Sequence, residues 1–298
     1  MGKTLKTGPD KIIYIMGYGR SGSTILDIIL GAHPAIKSLG ELTLLYQRWS
    51  QNDTCSCSKS YDNCPFWSEV YHKHKMAVHP QKAKDLIQLI LDVEAPLSLP
   101  LLISGLLPAN KVAGYRQHMH ALFQAIVEVS NRKILVDSSK SDRGYVGRLL
   151  ALKKICNFDL RIIHLIRDGR GIMYSRLRGT NQNLEKGIKG SNWIAPFLSS
   201  LNWLFTNIVS FLIGLLFFQK KVLQVKYEDL VINPCNELKR ISTFIGTNLD
   251  DIINRIKKNE AFLIGHITGG NRIRKKREIK LKGDFTWQNK LPASYYLF

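Results

Sequence analysis

The chain has 298 residues, 45% hydrophobic and 22% charged, a balance that allows a substantial buried core and excludes a disordered or fibrous chain. Its 43 Lys and Arg against 23 Asp and Glu leave a formal charge of +20, so an anionic partner is expected: a nucleotide with several phosphates, an acidic acceptor or an anionic membrane surface. The basic residues are spread along the chain except at 272–282, and no recognised nucleic-acid module appears, so nucleic acid is set aside.

The N-terminal stretch MGKTLKTGPDK has no apolar h-region and lacks the Ser or Thr at position 6 of a myristoylation site, which makes the cytoplasm the expected location. Residues 1–10 read as a tail. Ile12 to Met16 predict a buried strand, and Thr24 to Leu30 restart with apolar residues at helical spacing. Between them runs Gly17-Tyr18-Gly19-Arg20-Ser21-Gly22-Ser23-Thr24. Its glycines allow close backbone approach, so successive amides and the positive end of the helix dipole can converge on phosphate-like oxygens. The spacing nearly matches G-x-x-x-x-G-K-[ST], but Ser23 stands where the phosphate-binding lysine belongs, and Arg20 is the only cation in the loop. That counts against a kinase or NTPase and fits a donor without a triphosphate.

Cys55, Cys57 and Cys64 cluster, with Cys156 and Cys235 elsewhere. A zinc site would need a fourth ligand such as His72 or His74, and C-x-C is not the usual spacing, so a loop with reduced thiols or one disulfide is expected. Strands are expected at 134–136, leading into Asp137-Ser138-Ser139-Lys140, at 160–166, leading into Arg167, and at 222–226. With helical stretches between them they argue for an α/β chain with a parallel sheet. No repeat, low-complexity tract or linker marks a boundary, so residues 11–298 read as one domain with inserts around 70–130 and 180–220. Trp193 to Phe218 holds 26 residues without a charge, long enough to span a bilayer. A span would separate the loop at 17–24 from the chain after Lys220, although both should flank one sheet. A buried or acceptor-lining helix is therefore expected, with a helix dipping into the membrane interface as the alternative. Leu97 to Leu107 is a second apolar patch.

Arg20-Ser21-Gly22-Ser23-Thr24, the apolar helix after it and Ala32-His33-Pro34 resemble the 5′-phosphosulfate loop of sulfotransferases that use 3′-phosphoadenylyl sulfate (PAPS). The resemblance is closest to the branch containing tyrosylprotein sulfotransferases and many bacterial members, where arginine leads the loop. It implies a three-layer α/β/α fold, with Gly19, Arg20, Ser21, Gly22, Ser23 and Thr24 holding the phosphosulfate. Arg167 at a strand end and Ser175 eight residues on resemble the family's 3′-phosphate motif, since a dianionic phosphate needs a fixed guanidinium plus a hydroxyl. Lys140 lies in a segment that resembles the one bringing a lysine towards the sulfonate, and with Arg20 it is expected to stabilise the leaving oxygen. Gly265 to Arg274 resembles a C-terminal segment that closes over the nucleotide, with Asn271 and Arg272 or Arg274 as contacts. Glu41 resembles the catalytic glutamate of the tyrosylprotein branch, and the Cys-rich loop is similar to one in related bacterial sequences.

The implied reaction is in-line transfer of a sulfonate from PAPS to an acceptor hydroxyl or amine, leaving 3′-phosphoadenosine 5′-phosphate (PAP) and requiring no metal. The acceptor, a hydroxyl-bearing peptide, sugar or lipid, is not identified, and its specificity is expected in the two inserts. Glu228 and Asp229 are expected to cap and orient. His33 reads as structural, His164 as a core histidine and His266 as a candidate nucleotide contact. A P-loop-type kinase or NTPase and a basic peripheral membrane-binding protein are the competing classes.

Overall fold

The computed structural model describes residues 8–77, 83–140, 146–179 and 194–291. The start of the N-terminal tail and residues 180–193 of the second expected insert lie outside the described residues. Five strands, β1 (Lys11–Met16), β2 (Ile36–Ser38), β3 (Ile134–Asp137), β4 (Leu160–Ile166) and β5 (Val222–Lys226), form a parallel sheet in the order β2-β3-β1-β4-β5. Ile12 pairs with Leu135 on one side and Leu160 on the other, so β1 is central.

β1 shows why the molecule has three layers. Its alternate residues Ile12, Tyr14 and Met16 belong to one hydrophobic core and Ile13 and Ile15 to another, one on each face of the sheet. The first core takes α2 (Leu45–Ser50), α3 (Trp67–Ala77), α4 (Ala83–Glu94), α6 (Ala109–Ser130) and α7 (Arg148–Lys154) through residues such as Leu45, Trp67, Val93, Phe123 and Leu150. The second takes α1 (Ser23–Gly31) and the helices Pro234–Ile245 and Asp250–Lys257 through Leu26, Ile29, Ile241 and Ile252. The carboxyl ends of β1, β3 and β4 meet at one edge, where the chain diverges to either side of β1. In open α/β sheets that crevice is where ligands bind.

The four expected strands are present. β2 is additional, as is a small antiparallel pair, β6 (Phe262–Leu263) with β7 (Glu278–Ile279). The apolar segment forms helix α9 (Ile194–Ile213), continuing through a π-turn at Gly214–Phe218. It packs on α8 (Gly169–Leu177), with Trp203 against Gly169. The expectation of a buried helix is corrected: Phe197–Lys221 is long and apolar enough to cross a membrane, yet only 28% of its most apolar window is buried. Phe205, Phe211 and Leu216 are exposed, because α8 covers one side of a helix that is apolar all round.

Candidate active site

The loop after β1 contains backbone that side chains would block. At Gly17 (φ 132°) a Cβ would lie 2.4 Å from the Leu165 carbonyl oxygen, and at Gly22 (φ 93°) 2.5 Å from the Tyr227 ring. α1 begins directly after Gly22 without a side-chain cap, which leaves first-turn N–H groups available to an anion. A cavity of about 660 Å³ opens over this loop, walled by ten Lys and Arg side chains against three carboxylates. All the expected catalytic and nucleotide-contacting residues line it except Ser21 and His266. Ser21 is buried, with a hydroxyl that has no protein partner.

Arg167 follows β4 directly. Its Nη1 donates to the Arg20 carbonyl at 3.1 Å and its Nη2 to the Asp284 carbonyl at 2.8 Å, while its guanidinium lies 4.6 Å from the Tyr227 ring centre. Its Nε is buried without an acceptor. Ser175, in the second turn of α8, accepts a hydrogen bond from Arg20 Nη1 at 2.6 Å, and Arg20 Nη2 donates to the Gly179 carbonyl at 2.8 Å. Arg20, expected to act with Lys140 on the leaving oxygen, is thus held by the Ser175 side of the same cavity. Burial, then the charges of Arg176, Arg272 and Arg178, push the Arg20 pKa down to about 10. Crowded cations of this kind mark a place where an anion is favoured.

Lys140 instead forms a buried ion pair with Glu41. Its residue has positive φ (68°), and its carbonyl accepts the Tyr14 hydroxyl at 2.5 Å. Glu41 is placed by Thr268, whose carbonyl accepts the Glu41 N–H at 2.6 Å and whose own N–H donates to the Leu39 carbonyl at 2.8 Å. The end of β3 is fixed from behind. Arg148 donates to Asp137 at 2.9 Å and to Glu94 at 2.9 Å, and Ser139 N–H donates to Asp137 at 3.0 Å. Asp137 thus ties α7 to the segment that carries Lys140.

The C-terminal segment reaches the loop: Asn271 N–H donates to Thr24 Oγ1 at 3.1 Å, and the Asn271 side chain caps the short turn Arg272–Lys275. Arg272 is exposed on the cavity wall, whereas Arg274 is buried and donates to the Thr54 carbonyl at 3.2 Å. Glu228 orients, accepting the Asp168 N–H at 3.0 Å. His33 accepts the Ala35 N–H at 3.2 Å, and His164 pairs with Asn207 at 3.0 Å in the core. His266 corrects its expectation: it does not line the cavity, and its Nδ1 lies 3.3 Å from Cys64 Sγ.

Sequence reasoning missed Arg48, Arg176, Arg178, Tyr227 and Asp284 as cavity residues. Arg176 and Arg178 flank the end of the Ser175 helix and were legible only as part of a general basic excess. A second cavity of about 280 Å³ is lined by Thr43, Tyr46, Gln47, Ile87 and Ile90. Thr43 lies two residues beyond Glu41, and Ile87 and Ile90 come from the first expected insert.

Residues 12–251 match the family model described as Sulfotransferase family. Among solved structures, the sulfotransferase domain from the curacin biosynthetic pathway is 21% identical with a TM-score of 0.50, covering 95% of this chain and 88% of that one. The sulfotransferase domain from the Synechococcus PCC 7002 olefin synthase is 22% identical (TM-score 0.45, 83% and 76% covered). Sulfotransferase STF1 from Mycobacterium tuberculosis is 18% identical (TM-score 0.49, 84% and 71% covered). A search of curated proteins gave no match.

Proposed function

We infer the use of the cavity from one premise, that the chain belongs to the sulfotransferase family: it transfers a sulfonate group from PAPS to an acceptor hydroxyl or amine. One observation carries the reading. The glycine loop, the Arg167 and Ser175 strand-and-helix pair and the Glu41–Lys140 ion pair, from the ends of four strands, line a single strongly basic cavity. The unpartnered Ser21 hydroxyl and Arg167 Nε are further donors suited to phosphate oxygens.

In the proposed step the acceptor oxygen or nitrogen attacks sulfur as the bond from sulfur to the 5′-phosphate oxygen breaks, in line and through a loose transition state. Glu41 takes the acceptor's proton. Lys140, the loop amides, Ser23 and Thr24 meet the charge that develops on the leaving oxygen, and Arg20 is within the same cavity to assist. Arg167 and Ser175 hold the 3′-phosphate, with Asn271, Arg272 and Arg274 contributed by the segment above the loop. No part of this chemistry is assigned to a metal. The cavity at Thr43 and Ile90 supports an acceptor whose apolar body enters beside Glu41. A kinase reading finds no lysine at position 23.

For location, we favour a membrane surface, on the exposed apolar side of α9 together with the +20 charge.

Calorimetry with PAP in magnesium-free buffer tests the nucleotide site. Wild type should bind, and Arg167→Ala and Ser175→Ala should each weaken binding by at least about tenfold, since a charge-assisted hydrogen bond is worth about 1.5–3 kcal/mol. A folded wild type that ignores PAP yet binds ATP only with magnesium would replace this reading with the kinase one.

A further inference from the structure

Outside the cavity, the described residues contain one cluster of metal-ligating side chains with no part in the proposed chemistry. Cys55, Cys57, Cys64 and His266 each bring a ligand atom to within 4.8 Å of the other three. Cys55 and Cys57 lie in a tight hairpin closed by the Thr54–Ser60 bridge, Cys64 follows the short turn Tyr61–Asn63 after it, and the histidine comes from 202 residues further along the chain than Cys64. All are free thiols. Cys57 and Cys64 Sγ are 3.7 Å apart, far beyond a disulfide bond, and Cys64 Sγ lies 3.3 Å from His266 Nδ1.

Those spacings are the edges of a coordination tetrahedron. With Zn–S of about 2.3 Å and Zn–N of about 2.0–2.1 Å at tetrahedral angles, sulfurs lie about 3.8 Å apart and sulfur and nitrogen about 3.5 Å. We propose that Cys55, Cys57, Cys64 and His266 Nδ1 bind one Zn²⁺ in a closed Cys₃His site.

The surroundings fit such an ion. Three thiolates and Zn²⁺ carry a net charge of −1, and a cation is at hand: Lys37 is buried with its Nζ 3.9 Å from the ring centre of Phe66, the residue stacked on His266. The Trp67 N–H is aimed at Cys64 Sγ at 3.5 Å, the backbone-to-sulfur support that thiolate ligands attract, and Phe66 stacks on the His266 ring at 5.8 Å between centres. All four protein ligands are present, so no coordination position remains for a substrate and the site is structural.

Its purpose follows from what it joins. Ser56 Oγ donates to the Gly265 carbonyl at 2.6 Å and accepts the Ile267 N–H at 2.9 Å, and the Tyr61 hydroxyl donates to Thr268 Oγ1 at 2.7 Å. Thr268 in turn places Glu41, and Asn271 rests on Thr24. The zinc hairpin therefore staples the segment roofing the cavity to the element carrying Glu41.

The test is metal content of the full chain, purified without added metal and measured by mass spectrometry, followed by replacement with Co²⁺. We expect one zinc per chain, release of zinc when a mercurial blocks the thiols, and a cobalt form with thiolate charge-transfer and tetrahedral d–d absorption. Cys57→Ser and His266→Ala should lose the zinc and lower the thermal midpoint. Folded wild type with substoichiometric zinc and no cobalt spectrum overturns the proposal, whether the thiols prove free or oxidised. Undiminished zinc in the Cys57→Ser, His266→Ala double variant overturns it as well. Should the variants fail to fold, the wild-type cobalt spectrum still decides, and none of these readouts depends on the sulfotransferase reading.

Discussion

Asp27 lies fully buried in α1, where its Oδ2 accepts the Gly40 N–H at 2.9 Å and the Ser138 hydroxyl at 3.2 Å. It therefore ties the helix after the loop to the residues preceding Glu41 and Lys140. Burial raises its pKa to about 7. The unfolded carboxyl loses its proton near 3.8 while the folded one keeps it to about pH 7. Between those values the folded state binds more protons, so stability falls as pH rises, and the loss is complete once the native carboxyl ionises. A displacement of this size corresponds to about 4 kcal/mol. Asp27→Asn retains an acceptor for Gly40 without the titration, so its urea midpoint should fall much less than that of wild type between pH 5 and pH 8. Parallel profiles for the two proteins would show that Asp27 does not titrate in that window. Resemblance singled out Arg20 and Glu41 as candidates, but the partner that each side chain takes was not legible. Arg20, itself at positive φ (72°), turns towards Ser175 and Gly179 because the Ser175 hydroxyl and carbonyl and the Gly179 carbonyl accept from it there, and none of this is encoded in spacing.

Among the elements, the end of β3 depends most on a neighbour distant in sequence. Arg148 of α7 is fully buried between Glu94 of α4 and Asp137 of β3, and the Tyr115 hydroxyl of α6 completes the group at 2.6 Å from Glu94. Removing the guanidinium leaves two buried carboxylates without their counter-charge. Arg148→Leu should cost about 3–5 kcal/mol in urea unfolding. It should also slow sulfonate transfer at saturating PAPS, since Asp137 holds Ser139 and so positions Lys140. A loss below about 1 kcal/mol would mean that Glu94 and Asp137 simply take up protons in the variant. β1, β3, β4 and β5 were legible as apolar runs. β2 was not, because Ile36-Lys37-Ser38 offers no alternation over three residues and becomes a strand only by pairing with β3. The Cys₃His cluster escaped for a related reason: its fourth member joins through the fold, far from the C-x-C spacing that argued against it.

Over the whole molecule, the cavity gathers ten basic side chains but leaves most of the 43 Lys and Arg elsewhere. The two apolar patches read from sequence prove to be neighbours. Lys154 donates to the Ile103 carbonyl in α5 (Leu99–Ser104) at 2.7 Å and lies 6.0 Å from the Phe217 ring, so the exposed side chains of α5 and of α9 share one side of the protein. Lys153, Lys154, Lys220 and Lys221 rim that side. Apolar residues ringed by lysines suit the interface of an anionic bilayer, where each lysine adds about 1 kcal/mol and the apolar side chains hold the protein when salt is raised. A span is the poorer solution, because α9 keeps one side against α8 and returns immediately into β5 of the same sheet. Sedimentation with vesicles should therefore show binding to phosphatidylcholine containing phosphatidylserine and much weaker binding to phosphatidylcholine alone. Substituting Phe205→Glu and Leu212→Glu together should reduce vesicle affinity at least tenfold while PAP affinity stays unchanged, since neither residue touches the cavity. Binding that survives both substitutions and vanishes in high salt would leave charge alone as the attraction and return the outer side of α9 to a protein partner.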